Sequence, residues 1–236
     1  MAGHSKWANI KHKKERVDAK KGKIFSRLAK EIISAVKQGG PDPKSNAKLR
    51  LVVQKAKAAN LPNDLIDRNV KKASESDSSD YSEMTYEIYG HGGVGLIIEA
   101  MTDNKNRTAS EMRIATNKRG GSIATPGAVA FNFDRKGVIQ VNKADALEEA
   151  LFLLVTDAGA EDFTQEDDLF IIVTPPDALY QVKEVLDAKE IPSEASLDYL
   201  PKTYVEVAEE LQNANLALIE WLENVDDVDA VYHNMS

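Results

Sequence analysis

The spacing of the apolar residues changes near residue 80 of this 236-residue chain. Up to residue 73 they recur every three or four positions, as they do on the buried face of an amphipathic helix. After residue 82 they alternate with polar residues or form short runs, which is the pattern of β-strands. The polar, acidic segment 74–82 (SESDSSDYS) separates the two patterns and predicts a linker. The sequence therefore predicts a helical domain followed by α+β structure.

Three helices are predicted before the linker. The first begins near Ile24, where apolar residues follow at i+4 and i+8, and it ends at the Gly-Gly-Pro of residues 39–41. The second covers about 45–59, and the third follows Pro62, because proline is favoured at the start of a helix. The residues ahead of the first helix are basic and poor in apolar side chains, so we expect an arm that is unfolded until it meets its target.

After residue 136 the predicted elements follow the order strand, helix, strand, strand, helix, strand. This is the order of a ferredoxin-like fold. Its second helix, at about 175–189, is predicted to have Thr174 as its N-cap and Pro175 as its first residue. A short strand is predicted at 131–133, before this unit begins.

The elements just after the linker are two strands, at 85–89 and 95–101, and a helix at 106–118. They lack a final helix and strand, which residues 203–236 supply. The predicted fold class is therefore α+β with three domains: a three-helix domain, then two α/β-sandwich (ferredoxin-like) domains, the third inserted in the second. The expected domains are 1–75, then 80–134 together with 203–236, and the insertion 135–202.

Charge is distributed very unevenly along the chain. Residues 1–72 hold 19 Lys and Arg against 6 Asp and Glu, whereas the remainder holds 11 against 32, so the net charge of −8 hides two opposite regions. A strongly basic segment is the electrostatic signature of nucleic-acid binding, because Lys and Arg neutralise phosphates and release counterions. We expect the basic region to contact nucleic acid and the acidic region to lie away from it.

The basic arm contains a single aromatic residue, Trp7. One interpretation is that its ring stacks on an unpaired base beside phosphate contacts, and the other is that it docks on the protein's own surface. A second candidate segment is 103–108 (DNKNRT), where Asp103 or Asn104 can cap a helix while nearby cations bind phosphate. The candidate nucleic-acid-binding residues are Lys6, Trp7, Lys11, His12, Lys13, Lys14, Arg16, Lys20, Lys21, Lys23, Arg27, Lys105, Arg107, Arg113, Lys118 and Arg119.

The sequence offers no recognisable catalytic set. It has no cysteine, and its four histidines are too scattered for a zinc motif. Gly90, Gly92 and Gly95 have the spacing of a dinucleotide-binding loop, but the following LIIEAM predicts a strand, not a helix. We interpret GHGGVG as a hairpin connection, because no helix N-terminus is available to hold a pyrophosphate. We expect neither an enzyme nor a cofactor or small-molecule substrate.

Two acidic clusters, at 161–168 and 226–229, lack the spacing of a calcium loop and are interpreted as solvated turns, so no metal is expected. No apolar run is long enough for a membrane helix. The absence of cysteine and of a signal peptide predicts a cytoplasmic protein.

Several long motifs, in the same order, resemble the YebC/PmpR family, which includes the mitochondrial translational activator of cytochrome oxidase. These motifs are MAGHSKWANIKHKK at the start, DAKKGKIFSRLAKEI, KAKAANLP (55–62), YGHGGVGLIIEAMTDNKNRT and GAVAFNFDRKG (127–137). The resemblance covers nearly the whole chain. This sequence differs from the family pattern at His91, where many relatives have proline. It also differs in NKRGGSIATPG (117–127), where a lysine-histidine-glycine-glycine run is more usual.

The resemblance implies three domains, the first all-helical, and a non-enzymatic, cytoplasmic regulator of gene expression. It leaves two roles open: transcriptional regulation through DNA, and translational activation on the ribosome. The turn at Asn60 and Leu61 superficially resembles a helix-turn-helix, but Asp64 and Asp67 at the start of the third helix would repel the phosphates of a duplex. We therefore favour RNA and the ribosome, with promoter DNA as the alternative target.

Overall fold

The structure is a computed structural model that describes residues 21–75 and 81–236, with side chains from Ile24 onward. The predicted arm and most of the predicted linker lie outside these residues. The helices and strands, in chain order, are α1 (Lys21–Gly39), α2 (Ala47–Ala58), α3 (Asn63–Ser74), β1 (Ser82–Tyr89), β2 (Gly95–Thr102), α4 (Lys105–Arg119), β3 (Ser122–Ile123), β4 (Phe133–Asn142), α5 (Glu148–Asp157), β5 (Asp162–Glu166), β6 (Leu169–Thr174), α6 (Leu179–Ala188), β7 (Glu194–Pro201), α7 (Glu209–Asn224) and β8 (Val228–His233).

The chain forms two compact units, and the second interrupts the first. The described residues up to Asn132 and from Thr203 onward make one unit, while Phe133–Lys202 make the other. The first unit contains the helices α1 to α3 and a central α/β domain, and the second is an inserted α/β domain. The predicted α+β fold with an inserted third domain is confirmed.

The helical domain is built on the apolar faces that the sequence predicts. Leu28, Ile32, Leu49 and Ile66 from the three helices form its buried core. Asn46 joins α1 to α2: its Oδ1 accepts from Leu49 N at 2.9 Å, and its Nδ2 donates to the carbonyl of Ala35 at 2.8 Å. A buried amide that makes both bonds caps α2 and also fixes its start against the end of α1.

The central domain has four strands in the order β3-β1-β2-β8, with antiparallel neighbours. Helices α4 and α7 cover one face of the sheet, where Leu96, Ile98, Met112 and Leu218 are fully buried. Strand β3 has only two residues and was not predicted, because two residues cannot display a period.

The inserted domain is ferredoxin-like. Its strands lie in the order β5-β6-β4-β7, and all three neighbouring pairs are antiparallel. Ile139, Leu151, Ile172 and Leu186, from two strands and two helices, are fully buried. In chain order within the domain, the strands are second, third, first and fourth, as the βαββαβ order requires.

Two local predictions in this region are wrong. Of the strand predicted at 131–133, only Phe133 is extended, because a short 3-10 turn (Ala130–Asn132) occupies the rest. The strand predicted to begin at Gly137 begins at Phe133, as β4. The polar residues inside β4 interrupt its apolar pattern, but continuous pairing with β7 from Phe133 to Gln140 keeps it extended.

The predicted start of α6 is also wrong. The helix begins at Leu179, with Ala178 at the N-cap position. Thr174 is fully buried at the end of β6, and its hydroxyl donates to the carbonyl of Pro175 at 2.8 Å. Its side chain therefore caps no helix, and a turn precedes α6.

Within the described residues, no helix combines the length and apolar character needed to cross a membrane.

Candidate nucleic-acid interface

Helix α2 is the most uniformly cationic element of the helical domain. Lys48, Arg50, Lys55 and Lys57 lie on it, and it has no acidic residue. Lys57 is exposed and the other three are half-buried. Lys48 donates to Glu83 Oε1 at 2.8 Å, so part of this charge is used to hold the central domain.

Helix α3 combines an acidic start with a basic end. Asp64 and Asp67, in its first two turns, are exposed, and Arg68 Nη2 lies 3.6 Å from Asp64 Oδ2. Lys71 and Lys72, in the last turn, are also exposed. The cationic surface of α3 is therefore at its C-terminal end, where basic residues also interact favourably with the helix dipole.

Helix α4 concentrates the basic residues of the otherwise acidic part of the chain. Five of the eleven Lys and Arg beyond residue 72 lie on it, against the single acid Glu111. Lys105, Arg113, Lys118 and Arg119 are exposed. This helix is a second cationic surface.

The loop ahead of α4 resolves the choice of cap. Asn104 is the N-cap, and its Oδ1 accepts from Arg107 N at 3.1 Å. Asp103 Oδ1 instead accepts from Arg107 Nη2 at 2.9 Å. The capping interpretation of this segment is confirmed for Asn104.

The side chain of Arg107 is held by a buried carboxylate. Its Nε lies 3.0 Å from Asp227 Oδ2, and the hydroxyls of Thr102 and Thr108 donate to the same carboxylate at 3.1 and 2.9 Å. Lys30 Nζ, from α1, reaches Asp227 Oδ1 at 3.2 Å. Burial alone would raise the pKa of Asp227, but the hydrogen bonds from Arg107, Thr108 and Lys30 outweigh it and lower the pKa.

The prediction of a solvated turn at 226–229 is wrong for Asp227, which is only 3% exposed. Asp226 is exposed, as expected for a turn. Asp229 is half-buried near Arg27, and burial raises its pKa to about 7, against the opposing charge of Arg27. The sequence shows three similar carboxylates, while the fold gives each a different environment.

Arg27 is used within the protein. Its Nε lies 2.8 Å from Glu31 Oε1, and its Nη1 donates to the backbone carbonyl of Asp229 at 2.8 Å. Together with Lys30, it holds α1 against the central domain. Arg27 and Arg107 are thus both placed in intramolecular contacts, although the Arg107 side chain is 47% exposed.

The glycine-rich GHGGVG segment is the β1–β2 hairpin connection, as predicted. Asn215 of α7 holds it: its Oδ1 accepts from His91 N at 2.7 Å, and its Nδ2 donates to the carbonyl of His91 at 3.0 Å. A Cβ at Gly90 would lie 2.4 Å from Asn215 Oδ1, so glycine is needed there for close approach. Strand β2 follows directly, so no helix N-terminus faces this loop.

His91 and Arg119 lie at the same end of the central domain. His91 Nε2 is 2.8 Å from the carbonyl of Arg119, and the Arg119 guanidinium lies over the Trp221 ring at 5.1 Å from its centre. The half-buried Trp221 packs against the core of this domain. This contact leaves the exposed Arg119 in a defined position.

A loop after β3 is fastened to the sheet by one carboxylate. Glu87 of β1 is buried and accepts hydrogen bonds from the backbone amides of Gly127, Val129 and Ala130 at 2.6, 2.6 and 2.8 Å. Burial acts to raise the pKa of Glu87, but these three amides outweigh it and lower the pKa. Phe131, one residue further on, is 72% exposed. Sequence analysis missed both Glu87 and Phe131, because no local pattern connects residues that are more than 40 positions apart.

The remaining predicted residues are placed as follows. The arm residues lie outside the described part of the chain, namely Lys6, Trp7, Lys11, His12, Lys13, Lys14, Arg16 and Lys20. Lys21 and Lys23 belong to the first turn of α1. The structure therefore shows the surroundings of the candidate residues on α4 and of Arg27 on α1. The candidate residues of the arm remain predictions from the sequence.

In the inserted domain, Asp162, Asp167 and Asp168 are exposed, in agreement with the predicted solvated turn. Across residues 21–75 and 81–236, no group of three His, Cys, Asp or Glu side chains is arranged to hold a metal ion.

These features define a three-domain α+β protein with a cationic helical domain and an acidic inserted domain. The TACO1/YebC protein N-terminal domain matches residues 5–76, and the TACO1/YebC second and third domain matches residues 81–235. The chain belongs to the TACO1/YebC family.

Similar proteins span the full length of the chain. A probable transcriptional regulatory protein of Protochlamydia amoebophila (strain UWE25) is 65% identical over 236 residues, covering 100% of this chain and 96% of the relative. A probable transcriptional regulatory protein of Chlamydia muridarum is 60% identical over 238 residues, covering 100% of both. The crystal structure of a conserved hypothetical protein from Aquifex aeolicus has a TM-score of 0.87 and 41% identity, covering 98% of this chain and 97% of that chain.

Proposed function

We propose that this protein is a non-enzymatic, cytoplasmic regulator of gene expression that binds RNA on the ribosome and activates translation. The observation that carries the proposal is the separation of charge: cations are concentrated on the helical domain and α4, while the inserted domain is acidic. The inserted segment 133–202 holds 6 Lys and Arg against 16 Asp and Glu. Phosphates would be attracted to the first surface and repelled by the second.

The geometry of α3 favours RNA over sequence-specific reading of a duplex. In a helix-turn-helix protein, the start of the second helix enters the major groove between two rows of phosphates. Here that start carries the exposed Asp64 and Asp67, and the cations Lys71 and Lys72 lie at the far end of the helix. An acidic leading end disfavours entry into the groove, whereas structured RNA can be held by shape and phosphate contacts.

DNA-binding transcriptional control is the second candidate. Two observations favour it: the relatives from Protochlamydia and Chlamydia are named probable transcriptional regulatory proteins, and four residues, Ala59 to Pro62, join α2 to α3. Both candidates require a nucleic-acid partner. They differ in which polymer the cationic surface holds.

Crosslinking in cells, followed by sequencing of the captured nucleic acid, separates the two. Recovery of ribosomal RNA supports translational activation, and recovery of promoter DNA supports transcriptional control. If neither is enriched over an uncrosslinked sample, the protein is not a nucleic-acid-binding regulator.

A binding measurement with purified protein tests the surface itself. Replacing Lys55, Lys57, Lys71 and Lys72 with Gln should weaken RNA binding and reduce the slope of log affinity against log salt, because fewer counterions are released. Replacing four lysines and arginines of the inserted domain, Arg135, Lys143, Lys189 and Lys202, is the matched control, which should leave the slope unchanged. Equal effects of the two sets would count against the proposed surface.

A further inference from the structure

Helix α5 of the inserted domain exposes apolar side chains to solvent. Leu147, just before the helix, is 80% exposed, and Leu153, within it, is 57% exposed. Ala150, which lies between them, is exposed as well. A spacing of three residues places these side chains next to one another along one side of the helix. We call Leu147, Ala150 and Leu153 the leucine stripe.

The leucine stripe is separate from the side of α5 that packs against the sheet. Leu151, Val155 and Ala158 are buried and follow the i, i+4, i+7 spacing of a core-facing side. These three residues anchor the helix, so the leucines of the stripe add nothing to the core. Phe152 is not part of the stripe, because its ring packs edge-on against Phe163, with ring centroids 5.6 Å apart.

Leu147 occupies a position at which leucine disfavours the helix. It is the N-cap of α5, and its carbonyl accepts from Leu151 N at 2.9 Å. Ser, Thr, Asp and Asn are favoured at an N-cap, because their side-chain oxygens accept from the unpaired backbone amides of the first turn. Leucine has no such oxygen. An exposed leucine at this position therefore weakens the helix and gains no burial.

Asp157 is unfavourable at the other end of the same helix. It is the last residue of α5 and is exposed, and the last turn has no basic residue. The helix dipole places partial negative charge at this end, so a carboxylate is repelled there. Asp157 lies on the side of the leucine stripe, since it follows Ala150 and Leu153 at the i, i+3, i+7 spacing. Residues that conflict with their local structure in this way are concentrated at functional sites.

The leucine stripe lies in an acidic stretch of the chain. Residues 144–182 contain ten Asp and Glu and no Lys or Arg. The first cation that follows, Lys183, is buried and bonded to Asp187, so it adds little positive charge to the surface. The acids nearest the stripe are all exposed, namely Asp145, Glu148, Glu149 and Asp157.

We propose that the leucine stripe docks a segment of a partner protein that is basic and carries apolar side chains. Burial of Leu147 and Leu153 against those side chains provides a hydrophobic driving force. The surrounding carboxylates attract the Lys and Arg of the segment, which speeds association and selects against acidic partners. The inference goes beyond the proposed function, because it concerns a protein partner and a surface far from neutral in charge, on a different domain from the cationic helices.

Charge disfavours the other possible occupants of the leucine stripe. A nucleic acid would be repelled by the carboxylates, and leucine cannot neutralise a phosphate. A second copy that docked through the same stripe would bring two sets of acids together across the interface. An anionic membrane surface would be repelled for the same reason.

The test measures the affinity of the full chain for a fluorescein-labelled amphipathic peptide built only of leucine and lysine. Leu153→Ser should weaken binding about tenfold or more, because the stripe loses its central leucine. Ile114→Ser is the matched control and should leave the affinity unchanged: Ile114 is 40% exposed, but it lies on the cationic α4.

Two control peptides separate the apolar and the electrostatic contributions. A peptide with serine in place of leucine keeps the positive charge, and one with glutamate in place of lysine keeps the apolar side. Neither should bind measurably. If the wild-type chain binds none of the three peptides, binds all three alike, or binds the leucine–lysine peptide as well after Leu153→Ser, the docking inference is overturned.

Leu147→Ser and Asp157→Asn separate docking from folding. Serine can cap α5, and asparagine removes a charge that the helix dipole repels, so the melting temperature should stay the same or rise in both variants. The affinity for the leucine–lysine peptide should nevertheless fall several-fold in both. A lower melting temperature in both variants would show that the two residues support the fold, and this too would overturn the inference.

Light scattering and RNA binding test the other occupants. Leu153→Ser should change neither the molar mass of the protein in solution nor its RNA affinity. If the wild-type chain is an oligomer that Leu153→Ser dissociates, the stripe binds a second copy, and if RNA affinity falls, the stripe serves RNA binding; either result overturns the inference. Failure of the wild-type chain to bind RNA would contradict the proposed function alone, because the peptide measurement does not involve RNA.

Discussion

Arg107 Nε lies 3.0 Å from Asp227 Oδ2, so a cation in the first turn of α4 neutralises a carboxylate that is buried before β8. Lys30 of α1 shares that carboxylate. One acidic residue therefore connects the helical domain, α4 and the last strand. This makes it a structural centre of the surface that we propose to bind nucleic acid.

Asp227→Asn should lower the free energy of unfolding by about 2 to 4 kcal/mol, because two cations lose a buried partner whose hydrogen bonds an amide cannot replace. Urea unfolding at neutral pH measures the change. Asp226→Asn is the control: that carboxylate is exposed, and its removal should change stability by less than about 0.5 kcal/mol. Similar effects of the two substitutions would show that Asp227 does not hold the domains together.

The raised pKa of Asp229 predicts that the stability of the protein depends on pH. This pKa is raised from 3.8 to about 7 by burial, near Arg27, Glu31, Lys30 and Glu99. The folded protein thus binds a proton that the unfolded chain releases between pH 4 and 7, and the contribution of Asp229 to stability falls as pH rises through that window.

Asp229→Asn removes this titration, since the amide resembles the protonated carboxyl. The stability of the variant relative to wild type should therefore increase from pH 4 to 7, by at most about 1.4 kcal/mol per pH unit, and then level off. Urea unfolding across this pH range tests it. A difference that stays constant with pH would mean that Asp229 titrates at the same pH in both states.

Replacement by alanine should destabilise the protein to different extents at two glycines near His91, Gly93 and Gly120. Gly93 and Gly120 both have positive φ, 83° and 79°, so alanine strains the backbone at each by about 1 kcal/mol or more. A Cβ at Gly120 would also lie 2.4 Å from His91 Cε1, whereas one at Gly93 would meet no atom within 4 Å.

Gly120→Ala should therefore lower the melting temperature more than Gly93→Ala does. Combining Gly120→Ala with His91→Ala should recover part of that difference, because the ring that obstructs the new methyl group is gone. Thermal unfolding of the wild type, the two glycine variants and the double variant measures both effects. If both glycine variants lower the melting temperature equally, the destabilisation comes from backbone strain alone and not from contact with the His91 ring.

The fold was largely predictable because its elements carry local signals. The three helices before residue 75 repeat their apolar residues with a helical period, and Asn104 stands where a capping residue belongs. The βαββαβ order then identifies the inserted domain without any knowledge of contacts. The errors, at Thr174 and at the start of β4, occur where pairing with a distant strand decides the local structure.

The candidate site was predictable in its charge but not in its contacts. The concentration of Lys and Arg on the helical domain and α4 is visible in the sequence. The burial of Asp227 depends on Arg107, which is 120 residues away, and the position of Phe131 depends on Glu87. Sequence patterns could not show that Arg107, rather than Arg113 on the same helix, is held by the buried carboxylate of Asp227.

Trp7, which lies outside the described residues, has two interpretations that a solution experiment separates. If its indole stacks on an unpaired base, Trp7→Ala should weaken RNA binding, by about tenfold or more, and leave the melting temperature unchanged. If the indole is docked on the protein, the same change should cost about 3 to 5 kcal/mol of stability and leave RNA affinity intact.

Fluorescence in a Trp221→Phe background gives the second measurement for Trp7, because Trp221 is the other tryptophan of the chain. A stacking indole should emit like an exposed one in the free protein and be quenched on addition of RNA. Trp221 itself, half-buried beneath Arg119, provides the reference emission of a packed ring when Trp7 is replaced by Phe. If Trp7 matches that reference and RNA leaves it unchanged, the arm is docked on the protein, and RNA binding must be assigned to the lysines of α2, α3 and α4.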